Sequence, residues 1–215
     1  GNEVIFERSP ERIVAIDSAV VEILFAIGEG HRVVATHEFV TYPPETTDIP
    51  RVGDAFNLNL EKTLEMNPDL VFVFSDTFMP DLERMGLKVL YLESLSDDFR
   101  KVADNIRTWG RIVGSPLTAE TVASQFEARV AKIEKIMVTQ NDGPSVFQDE
   151  GGLWTSGPDT LMGAVFELLK LENIAQDVSG YVQLSPEVIV ERSPEIIISS
   201  YGNDISDAPA FRRMP

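Results

Sequence analysis

The sequence predicts an α/β protein of two lobes, each with a mainly parallel, Rossmann-like sheet, joined by a single long α-helix. Two observations predict this fold class. Continuous apolar runs alternate with helical patterns, which is typical of parallel strands that are buried on both faces. In addition, a motif of polar cap, short helix, X-Pro and apolar strand occurs at 57–75 and again at 183–200, with an ungapped offset of 126 residues. One duplication at this distance indicates two similar lobes rather than a solenoid.

The composition narrows the possible classes of protein. The 215 residues are 43% hydrophobic and 25% charged, which is ordinary for a globular chain. The lack of cysteine excludes disulfides, thiolate-held clusters and a cysteine nucleophile. A net charge of -17 argues against nucleic acid as a partner. We find no membrane-spanning run and no signal peptide, so we expect a cytosolic protein or a mature exported form.

The first lobe is expected at 1–95, and its segments alternate between strand and helix. Gly28 can close the first helix in a left-handed conformation, and three prolines interrupt the long loop. The expected segments are strand 12–17, helix 19–27, strand 32–36, loop 37–54, the first motif copy with strand 70–74, helix 79–85 and strand 88–93.

A helical segment is expected at 96–138, because only helical periodicity occurs there. Its second helix, Leu117 to Met137, would be about 30 Å long at about 1.5 Å per residue. That length suits a stiff connector between the lobes.

The pattern restarts in a second lobe at 139–215. Strand 145–148, a loop with Trp154, helix 159–170 and a loop through Tyr181 precede the second motif copy. Only fifteen residues follow Ser200, fewer than a lobe matching the first would need. The sequence therefore predicts an incomplete second lobe.

Six motifs in a fixed order resemble the class III substrate-binding proteins of ABC importers for ferric siderophores, heme and vitamin B12. The motifs are R-I-V-A-I-D-S-A-V-V-E-I-L-F-A-I-G at 12–28, T-Y-P-P-E at 41–45, I-P-R-V-G at 49–53, N-L-E-K-T-L-E-M-N-P-D-L-V at 59–71, G-L-K-V at 86–89 and L-S-P-E-V-I-V-E-R-S-P-E-I-I-I at 184–198.

The resemblance implies a metal-chelate ligand held in a cleft between the lobes and passed to an ABC permease dimer. A ferric siderophore is the first expectation, with a corrinoid or heme as alternatives and no intrinsic cofactor. The resemblance also implies an extracytoplasmic monomer that meets the membrane only through the permease or a lipid anchor.

Candidate ligand contacts lie in the loops beyond the carboxyl ends of the strands, where open α/β sheets bind ligands. Aromatic residues are concentrated there, and flat rings suit flat or apolar chelates. Alternatively, each ring closes the edge of a lobe's core. Tyr42 and Tyr181 match ligand-facing aromatic positions in the vitamin B12 binder of the family. The predicted contacts are Tyr42, Tyr181, Trp154, Phe39, Phe56, Phe78, Gln183 and Arg51.

Three further residues have two interpretations each. His37 could be a metal or heme ligand, or it could cap a strand end. The segment 54–57 has no tyrosine, although heme binders of the family often carry one there. Glu61 and Glu187 could stabilise helix dipoles. The resemblance implies instead that they dock on arginines of the permease.

The charge of the candidate loops predicts the charge of the ligand. Carboxylates outnumber bases there, and burying an anion beside unpaired carboxylates is unfavourable. We therefore expect a neutral or cationic metal complex. The carboxylates are Glu38, Asp54, Asp76, Asp149 and Glu150, and Arg51 is the nearest base in sequence.

We find no motif for catalysis. The segment 28–30 lacks the third glycine of a dinucleotide loop, and 152–157 is not a nucleophile elbow. The chain is therefore predicted not to be an enzyme. A two-lobed enzyme or ligand sensor is the alternative from another class.

Overall fold

The computed structural model describes residues 6–54, 57–92 and 98–199. The strands are β1 Ile13–Ile16, β2 Val33–Thr36, β3 Leu70–Val73, β4 Val89–Tyr91, β5 Ser145–Asp149, β6 Trp154–Ser156, β7 Glu172–Asn173, β8 Tyr181–Gln183 and β9 Ile196–Ser199. The α-helices are α1 Ser18–Ala26, α2 Leu60–Glu65, α3 Met79–Arg84, α4 Val102–Val113, α5 Pro116–Met137, α6 Leu161–Leu168 and α7 Pro186–Arg192. Within these residues, no helix is long and apolar enough to cross a bilayer.

The chain divides into two compact units. The first comprises residues 1–94 and 102–127, and the second comprises 95–101 and 128–215. The boundary between 127 and 128 falls inside α5, so one helix continues from the first unit into the second. The segment limits expected from the sequence, at 95 and 138, stay a prediction.

The first unit contains a parallel sheet of order β2-β1-β3-β4. Every residue of β1 and β3 is buried. Successive side chains of a strand point to opposite faces, so alternate residues enter separate cores. One core contains Ile13, Ala15, Leu70 and Phe72, and the other contains Val14, Ile16, Val71 and Val73. The continuous apolar runs therefore reflect burial on both faces.

Helices cover both faces of this sheet. Residues of α1, α4 and α5 complete the first core, and Leu82 of α3 belongs to the second. In the first core, the Trp109 ring of α4 meets Phe72 edge-on, with the ring centroids 5.0 Å apart. The α4 and α5 backbones approach closely at Gly110, where a Cβ would overlap the Cβ of Ala119.

The second unit contains a parallel sheet of order β7-β5-β9 and an antiparallel pair, β6 and β8. Phe147 of β5 and Ile189 of α7 are central residues of its core. The prediction that Trp154 and Tyr181 lie in loops was wrong, because both residues lie in strands. These strands have three residues each, too few for a clear alternating pattern.

The motif repeat extends to backbone geometry. Helices α2 and α7 begin at the equivalent caps Asn59 and Ser185, and each is followed by a residue at a φ of 47°, Asn67 or Ser193. Each acidic residue before the following strand then binds the start of the neighbouring strand. Asp69 accepts hydrogen bonds from the backbone N–H groups of residues 11 and 12, and Glu195 accepts one from that of residue 145. The repeat is therefore a structural duplication.

Candidate ligand-binding site

The first unit has a topological switch point at β1, which pairs with both β2 and β3. Because β1 and β2 are parallel, the residues that follow them, Asp17 and His37, lie at the same carboxyl edge of the sheet. Ligands of open α/β sheets bind outside this kind of edge. The structure therefore makes the loop after β2 the candidate region of this unit.

His37 is buried, with only 5% of its surface exposed. Its Nδ1 accepts a hydrogen bond from the Phe39 N–H at 3.3 Å, so the proton resides on Nε2, which lies 3.1 Å from Ser18 Oγ. Burial lowers the pKa of His37, and the positive charge of Arg51 lowers it further. No group of three potential metal ligands occurs in the described part of the chain. The metal-ligand hypothesis for His37 stays a prediction, and this geometry disfavours it.

Arg51 tethers the loop after β2. Its Nη2 donates to Val40 O at 2.8 Å and to Thr46 O at 3.0 Å. Its Nη1 is buried and has no hydrogen-bond partner among the described residues. The guanidinium thus holds the backbone around Tyr42, and a direct ligand contact by Arg51 stays a prediction.

The aromatic residues predicted in the first unit differ in exposure. Phe39 is 60% exposed and Tyr42 is 62% exposed. Phe78 packs against the core, and its ring centroid lies 6.2 Å from that of Phe74. Phe56 lies outside the described residues. Among the predicted contacts of this unit that the structure describes, Phe39 and Tyr42 are therefore the exposed rings.

In the second unit, the β6–β8 pair brings three predicted residues together on one face. Trp154 pairs with Gln183, and Ser156 pairs with Tyr181. Paired residues, and residues two apart in a strand, share a face. Trp154 is 45% exposed and Tyr181 is 53% exposed on this face, whereas Ser156, on the same face, and Thr155, on the other face, are fully buried. We call the face bearing Trp154, Ser156, Tyr181 and Gln183 the ribbon face.

The loop before β6 is held by a buried carboxylate. Asp149 Oδ1 accepts the N–H groups of Gly151 and Leu153, both at 2.9 Å. Gln183 Nε2 also donates to Gly152 O at 2.7 Å. Leu153 has a φ of 67°, a left-handed conformation that is uncommon for a branched residue. Asp149 therefore stabilises the loop instead of facing solvent with the other acidic residues.

The sequence indicated Glu150 only as a carboxylate of a candidate loop, and it did not indicate Ser156. In the structure, Glu150 lies beside Ser156 of the ribbon face. Ser156 Oγ lies 3.2 Å from Glu150 Oε1 and 3.0 Å from Gln148 Oε1, and its single proton can be donated to either. Burial raises the pKa of Tyr181, and the charge of Glu150 raises it further. The phenol therefore stays protonated at neutral pH and can donate a hydrogen bond.

Glu61 and Glu187 occupy equivalent exposed positions in the first turns of α2 and α7. The N-cap Asn59 accepts the Lys62 N–H at 2.9 Å, and Ser185 accepts the Val188 N–H at 3.4 Å. Hydrogen bonds from its own backbone and from Ser185 lower the pKa of Glu187. The positive end of each helix dipole stabilises the negative charge of its carboxylate. Their role in permease docking stays a prediction.

Two curated relatives match almost the whole chain. The ABC transporter substrate-binding lipoprotein YvrC of Bacillus subtilis, described as uncharacterized, is 27% identical over 93% of this chain and 67% of its own length. A cobalamin-binding protein of Halobacterium salinarum is 30% identical over 95% of this chain. The chain spans only 58% of the length of that relative.

Two solved structures have the same fold. The vitamin B12 binding protein BtuF of Vibrio cholerae gives a TM-score of 0.79 at 25% identity, over 90% of this chain and 77% of its own. The heme-binding protein RhuT of Roseiflexus sp. RS-1 also gives a TM-score of 0.79 at 25% identity, over 94% of this chain and 86% of its own. They confirm the predicted α/β fold class, with two lobes, mainly parallel sheets and one joining helix.

A family model also matches most of the chain. A model described as periplasmic binding protein matches residues 13–211. The resemblance to class III binding proteins is thereby confirmed, and the family consists of binding proteins rather than enzymes. The chain belongs to the periplasmic binding protein family.

Proposed function

We propose that this chain is the extracytoplasmic substrate-binding component of an ABC importer and that it captures a corrinoid. The observation that carries the proposal is the ribbon face, where Trp154 and Tyr181 are about half exposed on one side of two paired strands. Exposed rings on a rigid sheet provide flat apolar contact area for a macrocycle at little cost in conformational entropy.

The descriptions of two similar proteins support a corrinoid over other metal chelates. The proteins from Halobacterium salinarum and Vibrio cholerae are described as binders of cobalamin and vitamin B12. Heme is the second candidate, supported by the heme-binding protein of the same fold. The ferric siderophore, which the sequence favoured first, stays a prediction. A Staphylococcus epidermidis protein of the same fold is described as possibly iron-binding, but its description names no siderophore.

Phe39 and Tyr42 are the proposed ligand contacts of the first unit, because they are the exposed rings at its carboxyl edge. Trp154, Tyr181 and Gln183 are those of the second unit. Arg51 supports Tyr42 indirectly, through its hydrogen bonds to Val40 and Thr46.

The proposed partner is an ABC permease dimer, which Glu61 and Glu187 would contact. The name of the Bacillus subtilis relative supports both the importer and a lipid anchor at the membrane. We propose that the protein acts as a monomer on the outer side of that membrane.

The proposal is tested by calorimetric titration with cyanocobalamin, hemin and a ferric hydroxamate siderophore. We expect cyanocobalamin to bind most tightly. Trp154→Ala and Tyr181→Ala should each weaken its binding at least about tenfold, as is common for central aromatic contacts. Leu117→Ala is the control, because Leu117 is an apolar residue that is 84% exposed on α5. Wild-type affinity in both aromatic variants would contradict the proposed site, and a preference for another probe would contradict the corrinoid.

A further inference from the structure

Glu150 places a carboxylate beside the exposed rings of the ribbon face. Its Oε1 lies 3.2 Å from the hydroxyl of Ser156, which is paired with Tyr181 across the two strands. Its backbone N–H also donates to Trp154 O at 2.8 Å. Glu150 is therefore fixed at both its backbone and its side chain, and its position relative to the two rings is determined by the strand register.

The negative charge of the Glu150 carboxylate is little stabilised by other groups of the protein. Among the residues that the structure describes, no basic side chain forms an ion pair with it. The Ser156 proton is shared with Gln148 Oε1, so at most one hydrogen bond reaches Glu150 from that hydroxyl. Glu150 is only partly buried, so its remaining acceptor positions are open to water while the face is uncovered.

A ligand that covers Trp154 and Tyr181 removes part of this water. A carboxylate that loses water without a new partner is strongly unfavourable, and hydrogen bonds to a charged acceptor are stronger than those to a neutral one. The ribbon face therefore discriminates between ligands by the chemical group that each ligand places next to the Glu150 carboxylate. An N–H or O–H group is accepted, whereas a second carboxylate is repelled.

We propose that Glu150 is a specificity-determining residue that accepts a hydrogen bond from an N–H or O–H donor on the rim of the bound macrocycle. The inference rests on the proposed function of the ribbon face. It favours a ligand whose periphery carries carboxamides, as a corrin does, over one whose periphery carries carboxylates, as heme does. Asp149, the preceding residue, has no such role, because its carboxylate is occupied by the loop backbone.

The test measures the affinities of Glu150→Gln and Glu150→Ala for cyanocobalamin and hemin. We expect Glu150→Ala to weaken cyanocobalamin binding at least about tenfold, the loss typical of a charge-assisted hydrogen bond. Glu150→Gln should weaken it less, because the amide oxygen still accepts a hydrogen bond. Both variants should bind hemin at least as well as the wild type, because the repulsion of its propionates is removed. A structural role alone would weaken the binding of both probes equally.

Glu167→Gln is the matched control, since Glu167 is an exposed residue of α6 in the same unit. It removes the same charge and should leave both affinities unchanged. Ultraviolet titration of the phenols, compared with Tyr181→Phe, provides a readout without ligand. Glu150→Gln should lower the pKa of Tyr181, because the nearby negative charge is lost.

The outcomes separate this inference from the proposed function. If Trp154→Ala no longer binds cyanocobalamin and Glu150→Ala binds it like the wild type, the role of Glu150 is disproved. The proposed ligand site on the ribbon face is then retained. If the wild type binds neither cyanocobalamin nor hemin, both proposals are wrong. An unchanged Tyr181 titration in Glu150→Gln would contradict the placement of the carboxylate beside the phenol.

Discussion

His37 and Glu150 are both polar residues at the carboxyl ends of strands, and burial gives them different properties. His37 is 5% exposed, and both of its ring nitrogens have partners within the loop and the start of α1. Glu150 is partly open and has one side-chain partner in Ser156. An exposed or half-exposed polar atom is available to a ligand, whereas a buried and satisfied one contributes to stability.

The lowered pKa of His37 predicts a dependence of stability on pH. The histidine has an ordinary pKa near 6.5 in the unfolded chain and a lower one in the folded protein, so below about pH 6.5 the unfolded state binds more protons. The free energy of unfolding should therefore fall as the pH drops below about 6.5. The contribution of His37 is at most about 1.4 kcal/mol per pH unit, the slope for one proton.

Urea denaturation of the wild type and of His37→Gln, at about pH 7.5 and about pH 5.5, measures this contribution. The variant should lose less stability between the two conditions. Arg51 and Asp54 act on the same ring with opposite signs, and both are retained in the variant. His31→Gln is the control, because His31 is the other histidine of the chain and its side chain is 68% exposed. Equal pH dependence in the wild type and His37→Gln would contradict the prediction.

At the scale of elements, α4 and α5 are held together by close backbone packing and by a cluster of charges. Arg107 of α4 donates to Glu120 at 2.8 Å and to Glu127 at 2.7 Å, both in α5. The hydrogen bonds from Arg107 lower the pKa of Glu120 to about 2. The close approach itself depends on Gly110, which leaves room for Ala119.

Gly110→Ala should destabilise the protein, although alanine has the higher helix propensity. The added Cβ overlaps the Cβ of Ala119, so α4 and α5 must move apart, and overpacking of this kind costs about 1–3 kcal/mol. Urea denaturation measures the loss. Gln125→Ala, at an exposed position of α5, should change the free energy of unfolding by less than about 0.5 kcal/mol. A Gly110→Ala protein as stable as the wild type would show that the helices separate without cost.

At the scale of the whole molecule, the duplicated motif places Glu61 and Glu187 in the same register of two equivalent helices. A permease dimer would present two equivalent basic sites, which two matched carboxylates would satisfy. Complementary charges of this kind govern the rate of encounter and the rejection of wrong partners more than the final affinity.

Reversal of both charges, in a Glu61→Arg and Glu187→Arg double variant, should reduce uptake through the cognate permease at least about tenfold. Ligand affinity in solution should stay unchanged, because neither residue belongs to the ribbon face or to the loop after β2. The matched control is Glu65→Arg with Glu191→Arg, which reverses two exposed charges one turn further along the same helices. Intact uptake in the first variant, or equal loss in the control, would contradict specific docking.

Local patterns in the sequence determined the class of the protein and most of its elements. The apolar runs of β1 and β3, the caps Asn59 and Ser185, and the long helix α5 are each encoded within a short window of residues, so they could be predicted without the fold. The helix predicted at 117–137 differs from α5 by one residue. The repeat offset was readable because both copies retain the same cap, helix and strand.

Only the tertiary structure decided how the candidate site is built. The pairing of β6 with β8 places Trp154 and Tyr181, which are 27 positions apart in the sequence, on one face. Strands of three residues have no periodicity strong enough to reveal this pairing. The burial of His37, the tether made by Arg51 and the contrast between Asp149 and Glu150 depend on neighbours from other segments. Sequence patterns indicate which side chains are chemically capable of binding, whereas strand register and burial determine which of them a ligand can reach.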